Sequence, residues 1–138
     1  MSESKNITTQ AHFELFKKEC QYWIDYFGLL EYRDAYYHID CGQLAQCDVH
    51  SDRTAMVCSL TLGKKWRNDT ITNLLIMQSA FHEVCELLTW EIGDVVCDKT
   101  SLKNERSIFH KLIRRLENTL FTEHYKKRFL NKNVKNTK

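Results

Sequence analysis

The chain has 138 residues, of which 43% are hydrophobic and 28% are charged, and its formal net charge is +2. This length is enough for one compact domain with a single core and too short for two ordinary domains. The polar start, MSESKNITTQ, lacks the basic and apolar parts of a secretory signal, and no apolar stretch is long enough to cross a bilayer, which excludes a membrane-spanning protein. We therefore expect a soluble, cytoplasmic protein.

The first half of the chain predicts one helix followed by a small sheet. AHFELFKKECQYWIDYFGLL repeats apolar residues at helical spacing, which indicates an amphipathic helix that ends near Gly28. The segments AYYHIDCG, AQCDV and TAMVCSLTLG are short, rich in aromatic or β-branched residues and separated by turn residues, so they predict three strands. We expect a small, mostly antiparallel sheet in which the last two strands form a hairpin.

Two further helices follow the sheet. The residues NDT offer an N-cap, and a sequence pattern typical of a helix extends from Ile71 to about Gly93. A final helix is predicted from near Lys103. Helices on both sides of a small sheet in the sequence predict an α+β fold.

The cysteines predict no disulfide framework. Six are scattered along the chain without a C-x-x-C pair, and no signal peptide directs them to an oxidising compartment. We interpret them as reduced, mostly structural thiols in preference to a zinc knuckle or a set of disulfides. They are Cys20, Cys41, Cys47, Cys58, Cys85 and Cys97.

The second predicted helix carries three ionisable residues in the most apolar part of the chain, AFHEVCELLTWEIG. A helix that is apolar on almost every side is buried, and a buried ionisable group needs a partner, a proton or a metal. His82 and Glu86 are four residues apart and share one helix face, while Glu83 lies about a third of a turn away. Two ligands with a neighbouring carboxylate are typical of a zinc hydrolase helix.

This H-E-x-x-E spacing differs by one residue from H-E-x-x-H, in which two imidazoles bind zinc and the glutamate between them is the general base. A carboxylate can replace the second imidazole, although it lowers the positive charge at the metal. The pattern therefore favours zinc as cofactor, with His82 and Glu86 as ligands and Glu83 as catalytic residue. The other interpretation is a buried His–Glu pair that an Arg or Tyr from elsewhere satisfies.

Three segments, AQCDVHSDRTAMVCSLTLGKKW, AFHEVCELLTWEIG and FHKLIRRLENTL, resemble small metallopeptidase-like proteins encoded by bacteriophages. These are relatives of minimal gluzincin-type proteases such as SprT-like and ImmA/IrrE-type domains. The resemblance covers residues 12–121 and implies a zincin core, with His82 as first ligand, Glu83 as catalytic base and Glu86 as second ligand. It also implies a third ligand on the last helix. Glu86 stands where the family has a histidine.

Two criteria disagree on the third ligand. Resemblance to the family run H-x-x-I/V-x-R-L-E points to His110 in FHKLIRRLEN. The apolar stripe through Phe109 and Leu116 extends back to Glu105 instead, and a glutamate is the usual third ligand of a gluzincin. We favour His110, because two carboxylate ligands beside Glu83 would crowd negative charge around one cation.

The C-terminus is a basic end, since residues 111–138 hold nine lysines or arginines against two glutamates. Clustered cations can bind nucleic acid, but cations also favour a helix C-terminus through its macrodipole, and we do not expect a nucleic-acid partner. We divide the chain into a flexible N-terminus (1–10), one zincin-like domain (11–130) and a basic, flexible tail (131–138).

The sequence thus predicts a zinc-dependent metallopeptidase-like protein that hydrolyses peptide bonds with a metal-activated water in a bacterial host's cytoplasm. Its partner would be a protein or peptide substrate, with no membrane involved. The alternative, from another functional class, is a catalytically inactive zincin scaffold of a phage or mobile element that acts on a host protein.

Overall fold

The structure is a computed structural model that describes residues 6–51, 56–100 and 105–131, with side chains for all of them except 51, 94–100 and 105–107. The elements are α1 (Gln10–Phe27), β1 (Tyr32–Ile39), β2 (Ala45–Ser51), β3 (Met56–Gly63), α2 (Asn73–Thr100) and α3 (Glu105–Leu116). The last helix continues through a π-helical segment (Glu117–Phe121), α4 (Thr122–Tyr125) and a second π-helical segment (Lys126–Leu130). This order confirms the predicted α+β class. No helix in the described ranges has the length and apolar character needed to cross a bilayer.

Both ends of α1 have residues that suit helix termini. Thr9 is the N-cap: its hydroxyl accepts a hydrogen bond from the His12 N–H at 3.3 Å, and His12 Nδ1 accepts one from the Thr9 N–H at 3.0 Å. Gly28 ends the helix in the left-handed conformation, with φ of 68°, where the sequence predicts the end. On the apolar face of α1, Trp23 is fully buried and packs edge-on against Phe81 of α2, with ring centroids 4.6 Å apart.

The three-stranded sheet is mixed, so the prediction of a mostly antiparallel sheet is wrong. In the strand order β1-β3-β2, β2 and β3 pair antiparallel as predicted, but β1 pairs with β3 in parallel. The connection from β1 to β2 therefore crosses the end of β3, where the Gly63 N–H donates to the Leu44 carbonyl at 2.9 Å. A Cβ at Gly63 would lie 2.1 Å from the Gln43 carbonyl oxygen, so only glycine leaves room for the crossing. Alternation of apolar residues reports which face of a strand is buried, and not which strands are neighbours.

The core lies between α1, α2 and the sheet. Fully buried side chains include Phe16, Leu60, Trp66 and Ile76. The Trp66 ring also holds the β1–β2 connection against the core, because its Nε1–H donates to the Leu44 carbonyl at 3.1 Å. The free thiols in the described part of the chain are Cys20, Cys41, Cys47, Cys58 and Cys85.

Contacts near both ends of the described chain attach these ends to the core. Thr8 is 3% exposed, and its hydroxyl donates to the Gly63 carbonyl at 2.8 Å. At the other end, Arg128 Nη2 lies 2.6 Å from Glu19 Oε1, and this ion pair joins the last helix to α1. Residues 132–138 of the predicted tail lie outside the described residues.

Candidate metal centre

Three side chains from two helices meet at one point, His82 and Glu86 from α2 and His110 from α3. The first two are one helical turn apart, and His82 Nε2 lies 3.4 Å from Glu86 Oε1. Packing of α3 on α2 adds His110, whose Nε2 lies 3.1 Å from the same Glu86 oxygen. One ligand atom from each residue lies within 4.8 Å of the other two. The structure thus places the three predicted ligands in one cluster.

The donors and their spacing suit a metal ion. Two imidazole nitrogens and one carboxylate oxygen make up the ligand set of several catalytic zinc sites, which keep a further position for water or substrate. In a tetrahedral zinc site with bonds of about 2.1 Å, neighbouring ligand atoms are about 3.4 Å apart. The observed separations of 3.4 Å from His82 and 3.1 Å from His110 to Glu86 lie close to that value, while the full set of three ligand atoms spans up to 4.8 Å. The cluster could therefore hold a metal ion.

The His82 ring lies between two carboxylates. Its Nδ1 is 2.8 Å from Glu117 Oε1, while its Nε2 faces Glu86. The hydrogen bond with Glu117, followed by that with Glu86, raises the pKa of His82 to about 10 against the opposing effect of burial. A metal ion must therefore displace a proton from this imidazole in order to bind it near neutral pH.

Glu86 favours its deprotonated form, whereas His82 favours its protonated form. Burial alone would raise the pKa of its carboxyl group. The hydrogen bond and charge of His82, together with the charge of His110, outweigh that effect, so the pKa of Glu86 lies below its ordinary value. This ligand is consequently ionised at neutral pH and ready to bind a cation.

Glu83 lies beside the cluster and is almost entirely buried, with 7% of its surface exposed. Its Oε2 has no hydrogen-bond partner among the described residues. Burial, followed by the charge of Glu86, raises the pKa of Glu83 to about 8, although the charge of His82 opposes this change. A buried polar atom without a protein partner suggests an additional partner such as water, and a carboxyl group that titrates near neutral pH suits proton transfer.

Two clefts border the cluster. The first, named here the Trp90 cleft, has a volume of about 420 Å³. Its lining residues include Glu86, Trp90, Phe109, His110 and Ile113. The second, named the Ser79 cleft, has a volume of about 390 Å³. Its lining residues include Gln78, Ser79, His82, Glu83 and Glu117. Gln43 of the β1–β2 connection lines both clefts, so the ligand cluster and Glu83 border a site with two adjoining spaces.

Glu117 is the site residue that sequence reasoning did not assign. It follows His110 by seven residues, about two helical turns, which places both on one face of the last helix. The spacing could have indicated Glu117 as a site residue, because Glu117 is the last residue of the run HKLIRRLE that pointed to His110. Glu105, the alternative third ligand, begins α3, but its side chain lies outside the described part of the structure.

Comparisons with known proteins assign no family to this site. No family model, no curated protein and no solved structure matches the chain. The resemblance to phage metallopeptidase-like proteins therefore stays a prediction based on sequence motifs. The cluster of His82, Glu86 and His110 is the feature that the structure contributes.

Proposed function

We propose that the chain is a zinc-dependent, zincin-like hydrolase that cleaves a protein or peptide substrate. His82, Glu86 and His110 hold the metal, and Glu83 is the general base. The observation that carries the proposal is the three-ligand cluster, with ligand atoms within 4.8 Å of one another, beside a buried carboxyl group. When bound, zinc supplies a Lewis acid that polarises a carbonyl oxygen and acidifies water.

Each ligand contributes a defined charge. His82 and His110 each offer an imidazole nitrogen, and Glu86 supplies the single anionic donor. A carboxylate in place of a second α2 imidazole leaves one positive charge less at the centre. We therefore expect a less acidic water, and slower hydrolysis, than an H-E-x-x-H helix would support.

Glu83 moves the proton. In its ionised form, Glu83 accepts a proton from the attacking water. In its protonated form, it returns this proton to the leaving amine nitrogen as the peptide C–N bond breaks. A pKa of about 8 suits both halves of this cycle, because both forms are accessible near neutral pH. Its Oε2 atom has no hydrogen-bond partner among the described residues, so one oxygen of this carboxyl group is free to take up a proton.

The two clefts support a chain-like substrate. Together the Trp90 cleft and the Ser79 cleft offer spaces of about 420 and 390 Å³ beside the same cluster. Trp90 and Phe109 are among the residues that line the first, and Gln78 and Ser79 are among those that line the second. A peptide that lies across Gln43 would place a residue in each cleft.

The test uses protein purified without a histidine tag. Zinc content is measured by elemental analysis, and hydrolysis is measured with casein as an unstructured substrate. Glu83→Gln should keep zinc and lose turnover, because an amide can hydrogen-bond to water but cannot accept its proton. Glu86→Gln should lose zinc. Glu86→His should keep zinc and increase hydrolysis, because it removes a negative charge from the metal.

One observation favours a second candidate function. The side chains of the cluster can form ion pairs with one another and with Glu117, since His82 lies 2.8 Å from Glu117 and 3.4 Å from Glu86, and His110 lies 3.1 Å from Glu86. A network of this kind would suit an inactive scaffold of a phage or mobile element that binds a host protein. If neither the wild type nor Glu86→His holds zinc, the hydrolase proposal fails and this candidate replaces it.

A further inference from the structure

Glu117 contacts the ligand cluster without belonging to it. Its Oε1 lies 2.8 Å from His82 Nδ1, on the side of the ring away from the Nε2 that faces Glu86. The Glu117 side chain is 14% exposed, so solvent competes little for this hydrogen bond. The residue thus occupies the place of an outer carboxylate that holds a metal-binding histidine by its second nitrogen.

The backbone around Glu117 is also distinctive. Glu117 is the first residue of the π-helical segment Glu117–Phe121, and its carbonyl accepts a hydrogen bond from the Thr122 hydroxyl at 2.9 Å. Short π-helical segments inside α-helices are frequently found at functional sites. The segment follows two turns after His110, and fully buried Ile113 lies between them. One helix therefore carries both the third ligand and the contact to the first ligand.

We propose that Glu117 is a positioning residue of the metal centre. It accepts the Nδ1–H of His82 and thereby fixes the imidazole in the tautomer and orientation that present Nε2 to the ion. This inference rests on the metal site proposed above. Without Glu117 the ring could bind a proton at either nitrogen and could rotate, so fewer molecules would hold Nε2 toward Glu86 and His110. Loss of such outer partners typically costs 10–100-fold in metal affinity.

The experiment compares Glu117→Ala and Glu117→Gln with the wild type. The control is Glu123→Gln, which removes the same charge from an exposed position on the same helical region. The apparent zinc Kd is measured at one pH by competition with a chromophoric chelator. The ring nitrogens of His82 are observed by ¹⁵N NMR in the zinc-loaded protein, which shows the nitrogen that binds the metal.

In the wild type we expect zinc on His82 Nε2 and a proton on Nδ1. Glu117→Ala should weaken zinc binding by about 10–100-fold. Glu117→Gln should weaken it less, because the amide oxygen can still accept the Nδ1–H although the charge is gone. Glu123→Gln should change the Kd less than about twofold, since surface charges act weakly through solvent. A purely structural role for Glu117 would lower the melting temperature and leave the Kd and the ring-nitrogen signals unchanged.

The possible negative results distinguish an error in the role of Glu117 from an error in the metal site. If wild-type protein binds zinc and both Glu117 variants bind it equally well, the positioning role is wrong and the metal site stands. Zinc on His82 Nδ1 would likewise overturn the inference alone. If wild-type protein binds no zinc, the inference is overturned, and if Glu86→His binds none either, the proposed function is overturned as well. Should Glu117→Ala fail to fold, the Kd and the NMR signals of Glu117→Gln decide the question.

Discussion

His110 Nε2 lies 3.1 Å from Glu86 Oε1, and this contact joins the last helix to α2 at the ligand cluster. The two residues are 24 positions apart in the sequence, so their meeting depends on helix packing. The His110 side chain is 53% exposed and that of Glu86 is 27% exposed. The contact is therefore accessible from the Trp90 cleft, and an ion bound there would link the two helices.

Zinc should stabilise the folded protein through this link. At a free zinc concentration 100 times the Kd, binding contributes about 2.7 kcal/mol, which raises the Tm of a domain this size by about 5–10 °C. His110→Ala should lose most of the increase. His50→Ala changes an exposed histidine on β2 and should retain it. Calorimetry with and without zinc measures both shifts, and an equal increase in His110→Ala would contradict the assignment of this ligand.

Zinc affinity should rise with pH. The pKa of His82 is about 10, so binding releases its Nε2 proton, and affinity should increase about tenfold per pH unit between about pH 7 and 8.5. Glu86 should add nothing to this slope, because its lowered pKa leaves it already ionised. Titration calorimetry in two buffers of different ionisation enthalpy measures the released proton. An affinity that is independent of pH would show that His82 is not a ligand.

Because of Glu83, the free energy of unfolding should fall as the pH rises. Its folded pKa of about 8 exceeds the ordinary 4.5, so between these values the folded protein retains a proton that the unfolded chain releases, and the free energy of unfolding falls with pH. Glu83→Gln should therefore raise the Tm by about 4 °C or more at pH 8 and leave it nearly unchanged at pH 4.5. Glu31→Gln, at an exposed position, is the control. A gain of equal size at both pH values would contradict the raised pKa.

Two glycine substitutions should have opposite effects. Gly63→Ala places a Cβ 2.1 Å from the Gln43 carbonyl oxygen, so the β1–β2 connection must shift, and we expect a loss of about 1–3 kcal/mol. Gly93→Ala lies in α2, where the nearest atom to the new Cβ is Phe109 Cε2 at 3.9 Å, and it should gain about 0.5–1 kcal/mol. Urea denaturation measures both changes. Equal stability of Gly63→Ala and the wild type would show that the β1–β2 connection can shift without destabilising the protein.

Local spacing was enough to predict several of these features. A helix repeats every 3.6 residues, so the interval of four between His82 and Glu86 places both on one face of α2 without reference to the rest of the chain. Gly28 marked the end of α1 for a similarly local reason, because glycine adopts a positive φ without steric cost. The run around His110 also indicated a ligand on the last helix, through resemblance.

The tertiary structure alone decided how distant elements meet. His110 and Glu117 share a helix face by their spacing, but burial of Ile113 between them is what turns this face toward α2. The parallel pairing of β1 with β3 was likewise invisible in the alternation of apolar residues. Backbone geometry within one turn or one strand depends on nearby residues, whereas the neighbours of a helix or strand depend on the simultaneous packing of the whole core.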